Sequence, residues 1–139
     1  MKSIDQILKF IQKQKVAFIA SIDEDGFPNQ KAMLKPRKIE NHHTFYFSTN
    51  TSSLRVAQYR RNPKASIYFY HKGLIKYEGV LLVGIMEVLE DAAIKRELWH
   101  IGDKIFCSKG VTDPDYCILK FSATHGRYYC DLKTESFEI

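Results

Sequence analysis

Short apolar and aromatic runs, each closed by a tight polar turn, recur along this chain, and they constrain its fold more than any other feature. Val16–Ile22 (Val-Ala-Phe-Ile-Ala-Ser-Ile) runs into Asp23-Glu24-Asp25-Gly26, and residues 29–37 return toward Glu40-Asn41-His42-His43. Residues 44–48 are Thr-Phe-Tyr-Phe-Ser, and residues 65–70 end at His71-Lys72-Gly73. Residues 75–89 form a long run in which Gly79 and Gly84 predict bulges or bends. Residues 116–123 and 127–132 read as a last hairpin around Thr124-His125-Gly126. Strands joined by turns this tight pair antiparallel, because parallel neighbours need a long crossover.

Three helices interrupt the strands. Ser3 stands as an N-cap before Ile4, Ile7, Leu8 and Ile11 at helical spacing, so residues 3–15 read as a helix. Leu54–Arg61 reads as a second helix, stopped at Asn62-Pro63, and residues 91–101 as a third. The expected order is helix, three strands, helix, two strands, helix, two strands: a mainly β, antiparallel barrel of six to seven strands with flanking helices. Residues 102–115 form a long loop without a pattern of its own, and loops of that length often serve as lids or binding elements. Residues 1–139 show no repeat and no linker, so one domain is expected.

Composition narrows the class. With 45% hydrophobic and 27% charged residues, the chain is not of the disordered type. Its formal net charge of +5 suits an anionic partner without choosing among phosphate cofactor, nucleic acid and acidic surface. The three cysteines, Cys107, Cys117 and Cys130, are an odd and widely spaced set, a poor disulfide framework that points to a reducing cytoplasm. The amphipathic start, broken by Lys9, Lys13 and Lys15, is not a signal peptide, and no apolar stretch reaches the ~18–20 residues of a membrane span. His42, His43, His71, His100 and His125 are scattered, and no metal site is expected.

The sharpest chemical feature is the passage from Phe45-Tyr46-Phe47-Ser48-Thr49 through Asn50-Thr51-Ser52-Ser53 to Leu54-Arg55. A strand enters a hydroxyl-rich turn, and a helix begins with a cation in its first turn. Free backbone N–H groups and the positive end of a helix dipole make such a terminus an anion site. Thr49 and Ser53 add neutral donors there, and Arg55 a planar fork suited to phosphate oxygens. Ser53 as a plain N-cap is the simpler alternative. Lys31, Lys35 and Arg37 would share one face of their strand, with Lys31 the functional candidate and the others a solvated face. Tyr59-Arg60-Arg61 reads as the exposed end of a helix.

These pieces, with Arg61-Asn62-Pro63-Lys64-Ala65-Ser66 and the Asp-Glu-Asp-Gly-Phe-Pro turn, resemble the pyridoxamine 5'-phosphate oxidase-like family of FMN-binding split barrels over roughly residues 16–123. The resemblance implies a split barrel and a homodimer with FMN at the subunit interface. By position it puts Lys31 near the phosphate, Ala32, Met33 and Leu34 along the flavin ring edge, Ser48 and Thr49 beside the cofactor, and Arg55 as the phosphate clamp. Ser53 and Leu54 fall in the same motif, where Leu54 replaces a commonly basic residue. Tyr129 corresponds to an aromatic near the ring. Gly79 stands where true oxidases carry a Gln, and residues 126–139 lack their Arg/His substrate tail, which argues against pyridoxine phosphate as substrate. Some relatives bind deazaflavin or haem.

The leading expectation is therefore an FMN-dependent oxidoreductase acting on a small molecule, with no side chain assigned as acid or base. Two other classes stand beside it. One is a flavin carrier or sensor without turnover. The other is a module that stacks single-stranded nucleic acid on Tyr46, Tyr68 and Tyr70, disfavoured because those rings alternate with bulky residues as core strands do. The 102–115 loop is expected near the open face of the flavin, with a plain surface connection as the alternative.

Overall fold

A computed structural model describes residues 2–139. Helix α1 (Ile4–Lys13) starts with a reciprocal cap: Ser3 Oγ accepts from Gln6 N–H at 3.2 Å, and Gln6 Oε1 accepts from Ser3 N–H at 2.9 Å. Its apolar stripe buries Ile7, Phe10 and Ile11. Strand β1 (Val16–Ile22) then alternates inward Ala17, Ile19 and Ser21 with outward neighbours. Asp23 Oδ1 accepts from the N–H groups of Asp25 and Phe27, and Gly26 supplies the φ of +84° that closes the turn.

The chain continues through β2 (Pro28–Leu34), β3 (Lys38–Glu40), β4 (Thr44–Asn50), α2 (Leu54–Arg61), β5 (Lys64–Lys72), β6 (Tyr77–Leu89), α3 (Ala92–Leu98), a 3-10 turn (Ile101–Ile105), β7 (Tyr116–Cys130) and β8 (Lys133–Glu138). All eight strands join one antiparallel sheet in the order β2-β1-β5-β6-β7-β4-β3, with β8 on the outer half of β7. The sheet does not close on itself. The antiparallel, mainly β architecture stands as expected, with eight strands rather than six to seven.

Three local expectations change. The strand expected over 29–37 is two, because Pro36 breaks it after Leu34 and the chain resumes at Lys38. The hairpin expected around Thr124-His125-Gly126 is one continuous strand. Gly126 turns nothing: a Cβ there would lie 2.6 Å from the Leu81 carbonyl oxygen, so the glycine permits close approach of β6. The turn lies beyond it, where Asp131 takes φ +53° and leads into β8. Helix α3 stops at Leu98 rather than Ile101, and the 102–115 loop begins inside the 3-10 turn.

Two cores result. In the larger, α1 and α2 seal the inner face of the sheet over Ile19, Ile67, Phe69, Val80, Leu82 and Phe121. Full burial of such side chains contributes about 1.5–3 kcal/mol each. The smaller core gathers Tyr46, Leu98, Cys107, Tyr116 and Ile118, with Trp99 edge-on to Tyr116 at 4.9 Å. It seats the 99–115 segment against β4 and β7, and that placement builds one wall of the cleft described next.

Candidate functional site

The end of β2, the end of β4, the first turn of α2 and the 99–115 segment converge on a cleft of about 180 Å³. Ala32, Met33 and Leu34 form one side, and Ser48, Thr49, Asn50 and Arg55 another. Asp103, Phe106, Cys107 and Tyr116 form the third, with Lys35 and Arg37 between.

Tethers fix the turn before α2. Asp115 accepts from Ser52 N–H at 2.7 Å, from Ser52 Oγ at 3.1 Å and from Asn50 Nδ2 at 3.1 Å. The Ser52 backbone N–H, followed by its hydroxyl, holds the Asp115 carboxyl below its ordinary pKa. Thr51 N–H donates to Asp115 O at 2.9 Å. The turn is therefore bolted to the far loop, and the start of α2 is presented in one geometry.

At that start the polar groups are not all satisfied. Ser53 has N-cap backbone angles, yet its side chain makes no capping bond. Its Oγ and the Nε of Arg55 are buried without a partner among the described residues. Arg55 Nη2 donates to Thr49 Oγ1 at 3.3 Å, and no carboxylate pairs with this guanidinium among the described residues. Burial pushes its pKa down. No acidic residue offsets the dipole in the first turn of α2. Buried donors left unpaired cost about 1–3 kcal/mol each, and an anion that accepts from them removes that cost. The donors present fit a phosphate group.

The opposite wall is held by charge. Arg37 donates to both Asp103 oxygens, at 2.7 Å and 3.0 Å, and to Leu98 O at 3.1 Å. Asp103 Oδ2 also accepts from His100 N–H at 2.8 Å. Burial alone would raise the Asp103 pKa, but the Arg37 fork and the His100 N–H outweigh it and hold the carboxyl below its ordinary value. Ser48 Oγ lies 3.2 Å from Tyr116 Oη in the cleft floor. Cys107 Sγ accepts from Asn50 Nδ2 at 3.4 Å, and burial pushes its thiol pKa up, which makes it a packed side chain rather than a nucleophile. The cysteines of the chain are free.

Of the sequence candidates, Ala32, Met33, Leu34, Ser48, Thr49 and Arg55 line this cleft together. Ser53, with its orphaned hydroxyl, precedes the helix that carries Arg55 but is not in the lining. Lys31 projects into solvent from the edge strand β2, and Leu54 is 69% exposed; neither is in the lining. Tyr129 lies away from the cleft, packed edge-on against Tyr68 at 6.4 Å. Arg37, expected on a solvated face, is committed to Asp103. Tyr46, a stacking residue of the nucleic-acid reading, is buried and donates to Glu40 at 2.9 Å. Asp103, Asp115 and Tyr116 carry no sequence signal as site residues, whereas Asn50 falls in the hydroxyl-rich motif and Phe106 in the loop expected near the flavin. Only the length of the 102–115 loop signalled that part of the site.

A model of the pyridoxamine 5'-phosphate oxidase family matches residues 3–130. A Clostridium acetobutylicum protein related to general stress protein 26 of B. subtilis, described as of the pyridoxinephosphate oxidase family, is 36% identical, with a TM-score of 0.85 over 98% of this chain and 94% of that one. General stress protein 26 from Bacillus anthracis is 18% identical, with a TM-score of 0.77 over 98% of both chains. A heme binding protein from Mycobacterium smegmatis is 14% identical, with a TM-score of 0.76 over 99% of this chain and 59% of that one. Comparison with curated proteins returns no match.

Proposed function

The chain belongs to the pyridoxamine 5'-phosphate oxidase family, and from that membership and the geometry of the cleft we propose that it binds FMN and serves as a flavin-dependent oxidoreductase for a small molecule. The observation that carries this reading is the pair of orphaned donors, Ser53 Oγ and Arg55 Nε, at the start of α2. Arg55, Thr49 and Ser53 would hold the phosphate, and the β2 segment Ala32, Met33 and Leu34 would run beside the ring. FMN supplies hydride transfer, and the chain supplies binding and orientation. Phe106, 66% exposed at the mouth, would limit which partner approaches.

The cleft is smaller than the ~300 Å³ at which ligand pockets usually begin, which supports completion of the site by a second copy in a homodimer. No helix among the described residues is long and apolar enough to cross a membrane, and the free cysteines support a cytoplasmic setting.

Titration of the protein into FMN, followed by flavin fluorescence, tests the assignment. Each charge-assisted bond contributes about 1.5–3 kcal/mol, so Arg55→Ala is expected to weaken binding roughly tenfold to a hundredfold. Equal affinity in the variant would remove Arg55 from the site.

A further inference from the structure

The three most exposed large apolar side chains among the described residues, Leu74 at 106%, Leu132 at 101% and Ile75 at 90%, stand at one end of the sheet. Leu74 and Ile75 lie at the tip of the β5–β6 hairpin, and Leu132 at the tip of the β7–β8 hairpin. The tips are tied to each other. Asp131 N–H donates to Tyr77 O at 3.0 Å, and Tyr77 N–H donates to Asp131 Oδ1 at 3.3 Å. Gly73 N–H donates to Lys76 O at 2.8 Å, which closes the first hairpin with Leu74 and Ile75 outside it. Tight turns are ordinarily built from Gly, Pro, Asn, Asp and Ser. Aliphatic residues at the ends of two neighbouring turns gain nothing for the fold of one chain. A single exposed leucine is normal, but apolar residues gathered at one place inside a polar rim mark a contact site.

The rim here is basic. Lys72 and Lys76 flank the first tip and Lys133 follows Leu132, all three exposed. Behind them a groove of about 420 Å³ between α1 and the sheet is lined by Lys2, Lys9, Lys13 and His71, with Glu78 as its acid. Glu78 accepts from Tyr128 Oη at 2.7 Å, and Lys2 Nζ lies 3.9 Å from it. Asp131 is engaged with Tyr77, and Glu135 stands two register positions further from the turn than Lys133. Around the tips and the groove, lysines therefore outnumber carboxylates. Tyr77, 51% exposed at the foot of the first tip, adds an amphipathic ring of the kind that settles between hydrocarbon and water.

We propose that the paired tips are a contact site for an anionic lipid bilayer. Leu74, Ile75 and Leu132 enter the headgroup region, and Lys72, Lys76 and Lys133 meet the lipid phosphates. Such contact is peripheral: its strength comes from buried apolar area plus attraction to anionic lipid, and it needs no spanning segment. Convex, protruding side chains suit a deformable lipid surface, whereas a protein partner would have to offer a matching pocket for each. A second copy of the chain fits less well, because a two-fold contact of tips on tips sets lysine against lysine. The inference is independent of the FMN reading, since no tip residue lines the cleft.

The test is co-sedimentation of the full chain with vesicles of phosphatidylcholine containing about 30% phosphatidylglycerol, at about 20 mM salt, where screening is weak. The wild type is expected to bind these vesicles. It is expected to bind phosphatidylcholine alone roughly tenfold more weakly or worse, since each lysine near an anionic surface contributes about fivefold. Leu74→Glu combined with Ile75→Glu should weaken binding to the anionic vesicles roughly tenfold or more. Leu132→Glu, on the separate hairpin, should weaken it in the same direction and guards against a folding defect in the first variant. Without lipid, both variants are expected to give the wild-type mass by light scattering. Absence of wild-type binding at low salt, equal binding to neutral and anionic vesicles, or wild-type binding by either folded tip variant overturns the proposal. A lower mass for a tip variant also overturns it, because the tips would then be a contact between copies of the chain.

Discussion

Arg37 and Asp103 form the most buried charge pair among the described residues, with side chains only 12% and 11% exposed. Truncating one member strands the other, so Asp103→Asn is expected to destabilise the fold by about 1.5–3 kcal/mol at neutral pH, the contribution of hydrogen bonds to a charged group. The sign with pH follows from linkage. The carboxyl titrates lower in the folded chain than in the unfolded one, so its contribution is complete above the unfolded value near ~3.9 and is lost as pH falls through the folded value. Urea denaturation of wild type and variant at neutral pH and near pH 3 checks this: the gap in stability should narrow at the lower pH, and a constant gap would mean the side chain acts through packing alone. The same pair marks how much of the site can be read from residues in order. Thr49, Ser53 and Arg55 lie within one turn of each other along the chain, so their chemistry is visible in the motif. Arg37 meets Asp103 across 66 positions, and a guanidinium whose partner lies that far away reads as one more surface cation.

Elements divide in the same way, by whether their pattern is local. Strands β1 and β5 carry apolar alternation and β4 a continuous aromatic run, each with turn residues at its ends, and they lie where the sequence places them. Strand β8, Lys-Thr-Glu-Ser-Phe-Glu, is mostly polar and exposed, so it carries no apolar stripe and becomes a strand only because the outer half of β7 offers a free edge. The continuity of β7 depends on Gly126, whose glycine signature is that of a turn but whose role is contact with β6. Gly126→Ala tests this distinction. If the residue turned the chain, an alanine would cost only backbone freedom. In close approach, its Cβ meets the Leu81 carbonyl and the Phe137 ring, and overpacking of that kind costs about 1–3 kcal/mol. A lowered urea midpoint with an unchanged m-value is the expected result, and wild-type stability would return position 126 to a turn role.

At the scale of the whole molecule the question is what covers the cleft. Its wall is a composite of strand ends, a helix start and a loop, and the smaller core, the Arg37–Asp103 pair and the Asp115 tethers hold the loop in place. Phe106, Leu34 and Leu54 nevertheless stay 65–69% exposed around it, more apolar surface than a site of that size needs. Ala32 lies opposite Phe18, Phe18 opposite Tyr68, and Tyr68 opposite Leu81 in the sheet register, so these side chains share one outer face that begins at the cleft. Phe18 and Tyr70 on that face are 40% and 42% exposed. A face of this kind, continuous with the shallow cleft, is what a two-fold related copy would cover, using the same patch twice. Light scattering at micromolar concentration is therefore expected to give twice the chain mass of 16.2 kDa. Replacing Phe18 with Glu should shift that mass toward the monomer and weaken FMN binding together, because on the proposed reading the second copy would complete the wall. A monomeric variant that retains full FMN affinity would mean that one chain alone forms the site and that the aromatic face serves another purpose.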